Sequence, residues 1–126
     1  AVILRIREID KALEENRICP DRVDIRWELD LMSDDSGTGA GISDLLFHDN
    51  RLYVLFSAGK KGSRAGMLRV FDGEGILMEE YGFGNLNPEG IAFCKDPVDA
   101  KKRNLVITFD GGGKNPSKMV RIGVPK

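Results

Sequence analysis

Residues Asn87 to Phe93 read Asn-Pro-Glu-Gly-Ile-Ala-Phe, and this stretch decides the predicted fold. An X-Pro pair and a glycine bracket one acidic residue, and an apolar run follows at once. The same plan occurs earlier, where residues Gly41 to Phe47 read Gly-Ile-Ser-Asp-Leu-Leu-Phe. Each copy is followed by a charged turn and a β-rich run, Leu52 to Phe56 in one and Leu105 to Phe109 in the other. We interpret the two copies as an internal repeat.

The spacing of the copies predicts the architecture. They lie about 46 residues apart, which is typical of β-propeller blades. By alignment, Leu52 to Phe56 matches Leu105 to Phe109, and Met67 to Val70 matches Met119 to Ile122. A blade is a four-stranded antiparallel sheet, and closure takes about four to eight of them. The chain is therefore predicted to be all-β and to form about two to two and a half blades of a partial propeller. A β-sandwich of eight or nine strands is the alternative, because it shares the strand spacing.

The chain is predicted to be one partial propeller domain over residues 1–126. Residues 1–40 form the end of one blade, 41–86 a full blade, and 87–126 most of a further blade. The wholly apolar run Leu45 to Phe47 predicts a strand buried on both faces. Helix formers over Ile9 to Asn16 predict one or two helical turns. The other strands are predicted at Val2–Ile6, Asp24–Leu31, Leu52–Phe56, Met67–Phe71, Ile76–Tyr81, Glu89–Phe93, Asn104–Phe109 and Met119–Ile122.

Composition limits the classes of partner. The chain is 41% hydrophobic and 31% charged, and its net charge of -1 argues against bulk attraction to nucleic acid or an anionic membrane. No apolar run approaches the roughly 20 residues of a membrane span. Cys19 and Cys94 form no C-x-x-C motif; a pairing between them stays open on the sequence, and two free thiols are the expectation. Two blades alone would expose a large apolar sheet face. We therefore expect the remaining blades of the same protein, or other copies of the chain, to cover it.

The repeat carries a family resemblance over roughly residues 40 to 122. Ser43 to Phe47, Arg51 to Leu55, Pro88 to Phe93 and Asn104 to Ile107 resemble consecutive blades of the SdiA-regulated (YjiK-like) propellers. The broader phytase-like and regucalcin-like propellers have similar blades. The resemblance implies a periplasmic or extracellular protein, and its calcium-dependent relatives hold the metal at the central channel. The chain departs from the family pattern after each second strand and in an enlarged turn from Cys94 to Arg103.

Topology predicts where polar residues gather. First strands begin and second strands end on the same face of a propeller, because they are antiparallel neighbours. Asp44, Glu89 and Asp110 are therefore expected at one polar mouth of the channel, where carboxylates would suit Ca²⁺. The alternative is that Glu89 accepts hydrogen bonds from loop amides and fixes the crossover between blades. Ligand-binding residues are predicted on the same face, at Ser43, Ser57, Lys60, Lys61 and Arg64.

Two functions stay open on these observations. The first is a binding scaffold for a small molecule or a protein, because no complete catalytic constellation appears. His48 is the only histidine and lies in a predicted turn on the face opposite Glu89, without a G-x-S-x-G motif in the chain. The second, implied by the resemblance, is a calcium-dependent phosphoesterase or lactonase-like hydrolase.

Overall fold

The computed structural model describes residues 2–28, 41–58, 65–111 and 115–123. The protein is all-β: of the described residues, 58% lie in strands and 9% in helices, and every strand pair among them is antiparallel. These strands form three sheets of two, four and three strands. In the described part of the chain, no helix is long and apolar enough to cross a membrane.

The three sheets follow one another along the chain. The first sheet pairs β1 (Val2–Ile6) with β2 (Val23–Glu28), and between them lie the helix α1 (Ile9–Glu14) and a 3₁₀ turn (Pro20–Arg22). The second sheet has the order β3 (Ile42–His48), β4 (Arg51–Phe56), β5 (Met67–Asp72) and β6 (Leu77–Gly82). The third sheet has the order β7 (Asn87–Lys95), β8 (Arg103–Asp110) and β9 (Lys118–Gly123). Each of the predicted ranges 1–40, 41–86 and 87–126 thus contains the strands of one sheet.

The tight turn between β3 and β4 forms as its residues predict. Asp49 and Asn50 adopt positive φ angles of 48° and 58°, and His48 pairs with Arg51 across the turn. Asn and Asp tolerate this left-handed conformation better than most residues, so a two-residue connection is open to them. The turn between β5 and β6 is longer, and the Asp72 carboxylate accepts the amide hydrogens of residues 74 and 76 there, each at 2.9 Å.

The middle sheet packs against a different neighbouring sheet on each of its faces, through β4. On β4, Leu52, Val54 and Phe56 belong to one core cluster, which contains Trp27 of the first sheet. We call this side of the middle sheet its back face. Tyr53 and Leu55 of β4 belong to a second cluster, together with strand residues of the third sheet: Ile91, Leu105, Ile107 and Phe109. This side is the front face. Because side chains alternate between the two faces of a strand, successive residues of β4 pack against different neighbouring sheets. Three layers stacked in chain order differ from the two layers of a β-sandwich.

The same bulge occurs in the first strand of both repeats. Between β3 and β4, Ile42 pairs with Phe56 and Asp44 pairs with Leu55, so Ser43 between them is the extra residue. Between β7 and β8 it shifts at Glu89, with Gly90 opposite Thr108. A bulge places two residues opposite one and re-aims the side chains beside it. The two shifts lie at matching positions, so the alignment of the first and second strands predicted from sequence is confirmed.

The predicted alignment of the third strands is wrong by one residue. Phe56 pairs with Met67, whereas Phe109 pairs with Lys118. Met67 therefore corresponds to Lys118 and not to Met119. Because side chains alternate between faces, a slip of one residue exchanges the two faces of a strand. The two methionines look equivalent in sequence, but they lie on opposite faces of their sheets.

Burial corrects the prediction for β3. This strand was expected to be buried on both faces, but Leu45 is exposed and most of its other residues are half-buried. The strand buried on both faces is β4, whose residues from Leu52 to Phe56 are all buried. A short apolar run cannot distinguish the first strand of a sheet from the second, because both read alike. Residues 29–31 of the predicted strand Asp24–Leu31 lie outside the described residues.

Candidate functional site

The start of β3 and the end of β4 lie at one end of the middle sheet, as predicted. The amide of Ser57 donates to the carbonyl oxygen of Gly41 at 2.9 Å and closes this end. In the third sheet, Asn87 pairs with Asp110 at the corresponding position. We call this end of the stack the bulge end, because it carries the bulges at Ser43 and Glu89.

Asp44 connects the middle sheet to the third. Its Oδ2 atom accepts the amide hydrogen of Ile91 at 2.9 Å, and its Oδ1 atom accepts that of Leu45 at 2.8 Å. A Cβ on Gly90 would lie only 2.8 Å from Thr108 Oγ1 but at an ordinary contact distance of 3.8 Å from Asp44 Oδ2, so the close approach at Gly90 is to Thr108. Both carboxylate oxygens of Asp44, a predicted metal ligand, thus accept hydrogen bonds from backbone amides, and one of these bonds joins the middle sheet to the third sheet.

Asn87 makes the second connection between these sheets. Its Oδ1 atom accepts the amide hydrogen of Ala58 at 2.9 Å, and its Nδ2 group donates to Glu89 Oε1. Glu89 was predicted to accept hydrogen bonds from backbone amides between the sheets, but Asn87 and Asp44 accept them. Glu89 instead accepts a hydrogen bond from the side-chain amide of Asn87. Asn87 was not among the site residues predicted from the sequence. An Asn directly before Pro at a strand start was the available signal, because short polar side chains often bond to nearby backbone there.

The remaining predicted site residues fall into three groups. Asp110 lies at the bulge end and is engaged in an interaction of its own. Ser43 lies in the bulge, and its Oγ atom is buried without a hydrogen-bond partner. Lys60, Lys61 and Arg64 lie outside the described residues. Among the residues that the structure describes, no three His, Cys, Asp or Glu side chains come together in a group that could hold a metal ion.

The only histidine contacts the neighbouring sheet at the opposite end of the stack. His48 Nε2 lies 2.6 Å from Arg103 Nη1 and 3.0 Å from Asp49 Oδ2, and its ring stands 4.4 Å from the ring of Phe93. With the proton on Nδ1, Nε2 accepts from Arg103; with a proton on Nε2, it donates to Asp49. His48 was predicted in a turn, but it is the last residue of β3 and the turn itself is Asp49 and Asn50. Nothing in the sequence indicated Arg103, which comes 55 residues later.

The enlarged turn between β7 and β8 is built around one carboxylate. Asp96 accepts hydrogen bonds from the side chain of Asn104 at 2.9 Å and from the amides of Val98 and Asp99 at 2.8 and 3.0 Å. The Asn104 hydrogen bond, followed by the two amides, lowers the pKa of Asp96 from 3.8 to about 2. The turn therefore holds a defined conformation, while Val98 at its tip is 95% exposed. Cys94, at the start of the turn, and Cys19 are both free thiols, as predicted.

Compared with known proteins, the chain finds no matching family model, curated protein or solved structure. The resemblance to SdiA-regulated propellers accordingly stays a prediction.

Proposed function

We propose that this chain is a β-propeller segment that acts as a binding scaffold, with ligands recognised at the bulge end. The observation that supports the proposal best is the stacking of three antiparallel sheets in chain order, with the same bulge at Ser43 and Glu89. Repeated antiparallel sheets in radial succession are the design of a propeller. Rigid repeats of this kind hold their connecting loops in fixed relative positions, and such loops commonly carry the binding function.

The hydrogen bonds at the bulge end favour a scaffold over a catalytic centre. Asp44 and Asn87 use their side-chain oxygens to fix the third sheet on the middle one. These groups therefore support the frame, and recognition would fall to the loops beyond it. The connection after β4 contributes Lys60, Lys61 and Arg64, which we propose bind an anionic group of the ligand.

Anion binding is tested by thermal unfolding in increasing inorganic phosphate or citrate, at constant ionic strength. The matched pair of variants is Lys60→Ala/Lys61→Ala/Arg64→Ala and Lys101→Ala/Lys102→Ala, which removes cations from the β7–β8 turn at the other end of the third sheet. A saturable rise in the unfolding temperature should appear in the wild type and in the second variant, but not in the first. Equal shifts in all three proteins, or no shift in any, would contradict the proposal.

A calcium-dependent hydrolase of the phytase-like or lactonase-like kind is the alternative. One observation favours it. Asp110, at the end of β8, pairs with Asn87 at the start of β7, and Glu89 follows Asn87 by two residues, so the carboxylates of Glu89 and Asp110 belong to adjacent strands at the bulge end. Carboxylate oxygens are the ligands that Ca²⁺ prefers. Calcium titration of the wild type and of Glu89→Gln separates the two functions. A saturable calcium-dependent stabilisation that Glu89→Gln loses would support the metal site, whereas the scaffold predicts no calcium dependence.

A further inference from the structure

The front face of the third sheet has the same positions that the middle sheet uses for packing. The strand registers give each residue of this face a counterpart in the middle sheet: Val106 corresponds to Tyr53, Thr108 to Leu55, and Met119 to Leu68. The three counterparts in the middle sheet, Tyr53, Leu55 and Leu68, are buried against the third sheet. In the third sheet Thr108 is exposed, Val106 is half-buried and Met119 is 66% exposed. Within the described residues, this face has no neighbouring sheet.

Among the residues that the structure describes, the opposite face of the first sheet also has no neighbouring sheet. Ile3 and Trp27 pack into the cluster shared with the middle sheet. The alternate positions on β1 point away from it, and Val2 and Leu4 there are 55% and 37% exposed. The bulge at Asp24 in this sheet, next to the Arg5 pair, matches the bulge at Met78 in the middle sheet, next to the Val70 pair. This match assigns Ile3 to the front face and Leu4 to the back.

The stack is therefore directional. The front of the first sheet meets the back of the second, and the front of the second meets the back of the third. In the part of the chain that the structure describes, its two outer surfaces are a back face at one end and a front face at the other. Surfaces of opposite kind make a heterologous contact, which continues from copy to copy until a ring closes.

We propose that the chain associates with a second copy of itself, the front face around Met119 packing on the partner's back face around Leu4. The occupant is inferred from continuity with the two front-to-back interfaces already present inside the chain. Two copies supply six sheets in all, three from each, and six lies within the range of about four to eight blades that closes a propeller. The inference depends on the repeat of the sheets and not on the ligand proposed above, so the two can fail separately.

Sedimentation equilibrium of the intact chain tests the association, with Met119→Asp blocking the front face and Leu4→Asp blocking the back face. At Met119, and at Leu4, which lies opposite Arg26, the introduced carboxylate would lose its hydration in the contact, so association should weaken by at least about 100-fold. Val98→Asp is the matched control, because Val98 is an exposed apolar residue on a turn outside both faces. The wild type and the control should be dimers, and each blocked variant a monomer with an unchanged circular dichroism spectrum.

Mixing the two blocked variants distinguishes this geometry from a symmetric contact. Met119→Asp keeps an intact back face and Leu4→Asp keeps an intact front face, so an equimolar mixture should regain heterodimers. A dimer formed by two front faces would instead leave Leu4→Asp dimeric by itself. A wild-type chain that is monomeric at the highest concentration reached, or blocked variants that fail to combine, would overturn the proposal. Should either variant fail to fold, Thr108→Arg and Val2→Asp replace the pair on the same faces.

Discussion

The hydrogen bonds of Asp44 give the sharpest prediction about what holds the sheets together. Asp44→Ala removes the acceptor of two backbone amides, and the Ile91 amide belongs to a residue that is only 7% exposed. A hydrogen bond to a charged group contributes about 1.5–3 kcal/mol, and a buried amide left without a partner costs about 1–3 kcal/mol. Because the Leu45 amide can be satisfied by water, we expect a loss of about 2 kcal/mol in the free energy of unfolding.

Ser43→Ala is a control from the same bulge. The Ser43 hydroxyl is buried without a hydrogen-bond partner, so its removal should leave stability unchanged or raise it. Asp44→Asn should fall between the two, because its amide keeps one acceptor and turns a donor toward the other backbone amide. The three variants thus separate the loss of the carboxylate from the general sensitivity of the bulge to substitution.

Urea denaturation at neutral pH measures these differences. With an m-value of about 2 kcal/mol/M, the Asp44→Ala midpoint should fall by about 1 M urea at constant slope. Hydrogen exchange should accelerate most at the Ile91 amide. An Asp44→Ala midpoint equal to that of the wild type, or a Ser43→Ala variant as unstable as Asp44→Ala, would refute the assignment of Asp44 as a connector between sheets.

Two further predictions concern packing and pH. A Cβ on Gly66 would come within 2.3 Å of the Leu86 carbonyl oxygen and 2.5 Å of Pro88 Cδ, whereas a Cβ on Gly82 meets nothing within 4 Å. Gly66→Ala should therefore cost about 2 kcal/mol or more and Gly82→Ala almost nothing, in the same urea assay; equal effects would contradict the close approach of the sheets there. The lowered pKa of Asp96, about 2 when folded, means that its stabilisation is complete above the unfolded pKa of 3.8 and is lost as the pH falls through 2. Asp96→Asn should lower stability at neutral pH and flatten its decline between about pH 4 and 2; an acid-unfolding profile identical to that of the wild type would contradict the hydrogen bonding of this turn.

Local patterns in the sequence predicted most of the strands. Alternation and β-branched residues located the elements, and the 46-residue spacing located the two copies of the first strand. The spacing predicted the bulge end as well, because both first strands begin there. The same local patterns could not set the register of β9. Aligning Met119 with Met67 agrees with the local sequence, and only the pairing of Phe109 with Lys118 shows that Lys118 is the residue equivalent to Met67.

Contacts between sheets were the part that sequence could not supply. Asp44 and Ile91 meet across 47 residues, and His48 and Arg103 across 55. Such pairs depend on how one sheet is rotated and shifted over the next, which is set by the packing of two core clusters and not by any local motif. The acids at the strand ends were visible as polar residues, but whether they accept backbone amides or face an open channel follows from that packing alone.

The central claim is that the middle sheet is covered on both faces, by the first sheet on its back and the third on its front. Nuclear Overhauser effects between methyl groups and rings test it most directly. The Val54 methyl groups should show contacts within the cluster around Trp27, and those of Leu55 within the cluster around Ile107. Observing both sets supports the three-layer stack. Observing only one set, with the other side of β4 exposed to solvent, would indicate a two-layer fold and contradict the account.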